Sequence, residues 1–147
     1  MAPLITLLVG SLAARILGWF GVGYVDTWPR AIAVGLAAMF FVTGVAHFAP
    51  PLRNQLVAIV PPALPAPGLL VSVTGALELL GAVGLLLPAT RIAAAACLLV
   101  LMLAMFPANI YAARMPDPPP AMTTRLPVRI AEELIFLAAA VAVAIAG

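Results

Sequence analysis

Glu78, Arg15 and His47 are ionisable side chains set inside otherwise apolar runs of this sequence. Such groups are costly at membrane depth and turn toward a bundle interior, a partner or a water-filled space, so they come first as carriers of chemistry. Counted inward from the ends of their runs at about 1.5 Å per residue, Arg15 and Glu78 both fall roughly 15–18 Å deep, near a bilayer midplane. A guanidinium stays charged and favours an anionic neighbour, so an Arg15–Glu78 pair is expected. The pair has two readings: an ion pair that fixes helix register, or the polar anchor of a ligand, proton or substrate site.

Closer to the same boundary, within about 2–8 Å by that count, lie His47, Asn109, Glu132 and Glu133, on three different runs. They are expected to line a vestibule leading inward to Glu78. The plainer alternatives are an interfacial imidazole bonded to a backbone carbonyl for His47, and complementarity to the helix dipole for the two acids. Thr43 precedes His47 by one helical turn and Thr74 precedes Glu78 by the same interval, so each threonine shares a face with its ionisable neighbour. Pro107 removes one backbone hydrogen bond near Asn109 and predicts a kink. No metal site is expected: His47, Glu78 and Glu132 are too few and too scattered for a ligand set, and the lone Cys97 excludes a Cys-x-x-Cys site. Cys97 itself is expected to be a small buried packing residue.

These residues need elements to hold them, and the composition says in what solvent. The chain has 147 residues, 65% of them hydrophobic and only 8% charged, with a mean hydropathy of +1.22. Soluble domains carry about a quarter charged residues, so most of this exterior must be apolar, which a bilayer tolerates and water does not. The expected fold is all-α, a polytopic membrane helical bundle forming one domain over residues 1–147. Spans are predicted at 30–48, 68–88, 92–113 and 128–146, with a further N-terminal helix at 3–23. Arg15 leaves that last segment three readings: a fifth span, an interfacial helix or a cleaved signal. Five spans is the reading adopted, since the segment lacks a basic leading region.

With five spans, Arg53, Arg114, Arg125 and Arg129 fall at one side and Arg30 and Arg91 at the other, which predicts a cytoplasmic N-terminus by the positive-inside rule. Between the second and third spans, Leu52, Leu56, Ile59 and Val60 repeat with helical spacing, predicting a short surface helix with Arg53, Asn54 and Gln55 turned to water. The proline-rich stretch 115–121 is an expected extended connector. Gly75, Gly81 and Gly84, with Ala93 and Ala94, permit close helix contact. All seven basic residues are Arg, too few and too dispersed for a nucleic-acid footprint.

Four pieces in order carry a resemblance: Gly44-Val45-Ala46-His47-Phe48, Val60-Pro61-Pro62-Ala63-Leu64-Pro65-Ala66-Pro67, Thr74-Gly75-Ala76-Leu77-Glu78-Leu79-Leu80-Gly81 and Phe106-Pro107-Ala108-Asn109. Over about residues 30–113 the chain resembles the DoxX-like family of small bacterial membrane proteins, grouped with DoxD and MauE. The resemblance implies a four-helix core in the bacterial inner membrane, with His47, Glu78, Pro107 and Asn109 as motif positions. It also implies duties ranging from sulfur-linked quinone reduction and thiol or oxidative-stress systems to accessory subunits. Where relatives often carry Gln in the last helix, this chain has Arg129.

The leading functional expectation is a non-catalytic accessory or assembly subunit of a redox-linked membrane complex, because no catalytic set is recognisable. The alternative is a binder or enzyme for a quinone or lipid-like molecule, with Glu78 and Arg15 anchoring the pocket. A small-solute or proton transporter is the third, although internal repeats and broken helices are not evident. Expected partners are the lipid bilayer, further protein chains or copies of this one, and no nucleic acid; beyond a quinone or lipid, no cofactor is implied.

Overall fold

In the computed structural model, which describes residues 1–147, the chain is all-helical. Six α-helices follow in order: α1 Ala2–Trp19, α2 Trp28–Ala46, α3 Leu52–Ala58, α4 Pro67–Leu86, α5 Arg91–Arg114 and α6 Leu126–Ala146. Short 3₁₀ turns occupy Gly23–Val25 and Pro120–Met122. Prolines set the punctuation. Pro3, Pro29, Pro67 and Pro127 stand in the first turns of α1, α2, α4 and α6, where the missing N–H has no intrahelical partner to lose. α5 runs through Pro107 as one continuous helix.

α2, α4, α5 and α6 close a four-helix core in which α4 packs on α2 and α5, and α6 on α5 and α2. Leu36, Leu85, Leu98 and Val143, one from each helix, are fully buried at its centre. α1 packs on the outside of α2. The contact is a backbone approach: a Cβ on Gly35 would lie 2.6 Å from the carbonyl oxygen of Leu7, and one on Gly10 would lie 3.0 Å from the Gly35 Cα. The predicted glycine contacts recur between core helices, with Gly75 against His47, Gly81 against Leu98 and Gly84 against Ala94.

Outward, the bundle is greasy: Leu80, Val100, Leu134 and Ile145 are all exposed. α1, α2, α4 and α5 are each long and apolar enough to cross a membrane. The doubtful N-terminal segment meets that standard, whereas α6 carries Arg129, Glu132 and Glu133 near its start. Cys97 departs from expectation. It faces out of the bundle, because alanines surround it on α5 and give its position no periodicity from which a buried face can be read.

Both predicted connectors are present with altered detail. α3 lies between the α2 and α4 ends, and Leu52, Leu56 and Ile59 line a cavity beneath it. Arg53 is not turned to water. Its guanidinium donates to the carbonyl oxygens of His47 (2.8 Å) and Gly68 (3.1 Å) and to Ser72 Oγ (3.0 Å), tying α3 to α2 and α4. Gln55 likewise accepts a hydrogen bond from the Ala121 N–H at 2.8 Å, joining α3 to the second 3₁₀ turn. The His47 carbonyl, at the C-terminal end of α2, has no helical N–H to accept from and takes the Arg53 donor instead.

Candidate functional site

A cavity of about 390 Å³ opens at the end of the bundle where α3, the second 3₁₀ turn and the start of α6 meet. Its walls include Met39, Phe40, Met102, Met105 and Phe136, and its polar groups are Thr43, His47, Glu78, Asn109, Arg129 and the pair Glu132 and Glu133. The predicted vestibule is therefore assembled. Five of its seven candidate residues, Glu78, His47, Asn109, Thr43 and Glu132, line this one space.

At the floor, Glu78 and His47 are each only 4% exposed. The Thr43 hydroxyl donates to Glu78 Oε2 at 2.6 Å, and Oε1 is left without a protein partner. His47 Nδ1 lies 2.8 Å from the Thr43 carbonyl oxygen and 3.8 Å from Glu78 Oε2. A carbonyl oxygen only accepts, so Nδ1 carries the proton in that bond and the neutral ring presents Nε2 as a lone pair. The plain reading of His47, an imidazole bonded to a backbone carbonyl, and the functional one hold together, since the first fixes the tautomer for the second. The missing side chain at Gly75 makes room for the ring: a Cβ there would lie 2.9 Å from His47 Cγ.

Along the wall, Arg129 is a fixture. Its Nε donates to the Thr124 carbonyl (2.9 Å), Nη1 to Asn109 Oδ1 (2.9 Å) and Nη2 to the Met122 carbonyl (2.6 Å). With Oδ1 engaged, Asn109 has its amide N–H₂ left to donate. Glu132 Oε1 and Glu133 Oε1 are buried without a hydrogen-bond partner, although the Met1 amine comes within 3.2 Å of Glu132 Oε1. Neither acid lies in the first turn of α6, so dipole complementarity does not account for them.

Two candidates lie elsewhere. Arg15 does not pair with Glu78: its guanidinium lies over the rings of Trp19 at 5.1 Å and Trp28 at 5.7 Å. Trp28 begins α2 and Thr43 stands near its end, so the two charges are separated by roughly 22 Å along that helix. A guanidinium stacks on aromatic faces without a counter-ion, which is how this one is accommodated. Thr74 is the second. Its hydroxyl donates back to the Leu70 carbonyl at 2.9 Å, the local bond a helical threonine makes when no better acceptor is in reach, and it does not line the cavity.

Arg129 and Arg53 are the structural ties around the cavity that sequence reasoning missed. Most of their partners are backbone carbonyls, which no residue type announces. Ionisable residues do not gather into a metal-holding group.

Fold and site together define a membrane protein with a four-helix core, an added N-terminal helix and a polar-floored cavity at one end. Residues 36–144, from α2 into α6, match the family described as a domain of unknown function, DUF8561, and the chain belongs to that family. No curated protein and no solved structure matches it.

Proposed function

We propose that this chain is a membrane-embedded binding module whose cavity receives a small, mainly apolar molecule by its polar end. The carrying observation is the cavity itself: about 390 Å³, walled by hydrophobic side chains, with Glu78, His47 and Asn109 offering unfilled hydrogen-bonding capacity into one space. Concave apolar sites with a few convergent polar groups are the usual form of small-molecule pockets. A quinone or lipid-like ligand of the kind expected from the sequence suits these walls, with Glu78 and His47 rather than Arg15 as anchor.

Service as an accessory subunit of a redox-linked complex belongs to the same proposal, because a module that holds a membrane-soluble molecule beside a partner needs no catalytic set of its own. Kinship with the DoxX-like group is part of it too, supported by three of its motif positions, His47, Glu78 and Asn109, on the cavity. We further propose five spans in a bacterial inner membrane, since α6 packs along α5 and α2. The cavity end then faces the cytoplasm, as the Arg53, Arg114, Arg125 and Arg129 count favours.

The test is retention. Protein taken from host membranes directly into lipid nanodiscs is expected to carry a small molecule in native mass spectrometry, and Ala46→Phe, which fills the cavity wall, is expected to lose it with helix content unchanged. An empty wild type, or equal retention by both, contradicts the proposal.

A further inference from the structure

The roof of this cavity and its flank are built differently. Over the top, two pieces of chain are stitched together. The first is α3, whose Leu56 and Ile59 line the cavity while Arg53 ties the helix to α2 and α4. The second is the 120–124 turn, which Arg129 holds through the Met122 and Thr124 carbonyls. Gln55 accepts the Ala121 N–H at 2.8 Å and closes the seam between them.

The flank is open. Of the residues that line the cavity, the exposed ones are Met1, Ala2, Val42, Leu52 and Ala121, so the mouth lies between the start of α1, the side of α2 and the edge of the roof. Every side chain on that rim is apolar, and the charge there, the Met1 amine, is engaged by Glu132 Oε1 at 3.2 Å. Val42 is 47% exposed and Leu52 38%. Val42 precedes Ala46, the last residue of α2, by one helical turn, which sets it about 6 Å inside the end of that helix. An apolar rim at that depth in a membrane span is covered by acyl chains and not by water. The mouth is also level with the polar floor, since Thr43, next to Val42 in the chain, donates to Glu78 Oε2.

A molecule arriving from water would have to break the roof seam or shed its hydration against an apolar rim. One already dissolved in lipid keeps its body among hydrocarbon throughout and turns only its head toward Glu78. We infer that the cavity fills from the bilayer through the mouth beside Val42, with the roof closed. This rests on the binding reading above and adds the source of the ligand, a molecule dissolved in the membrane.

Labelling of a thiol inside the cavity tests the route without a ligand. The full chain carrying Cys97→Ala and Met105→Cys is held in nanodiscs and treated with N-phenylmaleimide, which enters lipid, or with a sulfonated maleimide, which does not. Relative to the chain unfolded in SDS, N-phenylmaleimide is expected to label at least about tenfold faster than the sulfonated reagent. Val42→Trp, which fills the mouth, is expected to slow N-phenylmaleimide about tenfold, and Gln55→Ala, which frees the roof seam, to change its rate by less than about twofold. Leu52→Trp fills the same mouth from the roof edge and takes the place of Val42→Trp if that variant loses helix content. Equal labelling by the two reagents, a rate unmoved by the mouth variants, or a rate raised by Gln55→Ala overturns the bilayer route and leaves the cavity reading intact. No labelling by either reagent, while the unfolded chain reacts, overturns both.

Discussion

Four charged residues, Arg15, Asp26, Arg30 and Arg91, lie toward one end of this bundle and the other eight toward the cavity end, and the two ends treat them differently. At the end where α1 meets α2, every cation has a neighbour: Arg30 pairs with Asp26 at 2.8 Å, Arg15 lies between Trp19 and Trp28, and buried Arg91 donates to the Leu85 carbonyl at 3.1 Å beneath the Tyr24 ring. Tyr24 in turn donates to the Leu86 carbonyl. At the other end the cations Arg53 and Arg129 are equally bound, yet the acids Glu78, Glu132 and Glu133 line an open space, and Glu133 Oε1 has no hydrogen-bond partner. A charge is therefore not a functional marker here merely by lying in a greasy helix. The marker is a charge that borders an open space, since Arg15 Nε and Arg91 Nη2 also lack hydrogen-bond partners but are covered by aromatic rings.

The contrast can be broken most forcefully at Gly75. A side chain there would meet His47 and Phe48, with the Phe48 Cε2 only 2.9 Å from a new Cβ. Gly75→Leu is expected to push α2 off α4 and to cost about 3 kcal/mol in a reversible unfolding titration, abolishing retention of any bound molecule as well. Arg91→Ala follows, at about 2 kcal/mol, since it strips a carbonyl of its donor and Tyr24 of its cation. This loss is expected to leave ligand retention in native mass spectrometry as in the wild type, because the residue serves only the closed end.

Glu78→Gln sharpens the comparison from the other side. A near-isosteric change that can still accept from Thr43 is expected to shift the unfolding free energy by less than about 1 kcal/mol. Retention of the bound amphiphile is expected to fall about tenfold, some 1.4 kcal/mol in binding. Smallest of all is Arg15→Leu. The lost stacking is offset by removal of a charge from an apolar helix, and a net change under about 1 kcal/mol is expected with binding untouched. A large binding defect in Arg15→Leu would restore the Arg15–Glu78 pair as the working unit.

Much of the architecture was legible because it is written in solvent preference. Runs of apolar residues punctuated by Pro29, Pro67 and Pro127 specify where the helices lie, and the added N-terminal helix follows once Arg15 is granted a partner. The site was partly legible for the same reason, since Glu78, His47, Asn109 and Glu132 lie in such runs where an unused polar group is costly. What failed was register. Counting depth from each helix's own end put Glu78 level with Arg15, but α4 overhangs α2, so Glu78 meets Thr43 one turn inside the α2 terminus. Relative sliding of neighbouring helices is fixed by close contacts such as Gly75 on His47 and Gly44 on Leu79, and a single helix carries no record of it. Arg53, Arg129 and Thr74 were misread or overlooked for a related reason, as their partners are backbone carbonyls.

The central claim is that the space between Glu78, His47 and Asn109 is a binding site in a membrane protein. An experimental density map of the chain in a lipid bilayer tests it most directly. Non-protein density is expected there, within hydrogen-bonding distance of Glu78 Oε1. A cavity closed by its own side chains, or Glu78 turned out toward the acyl chains, would contradict the account.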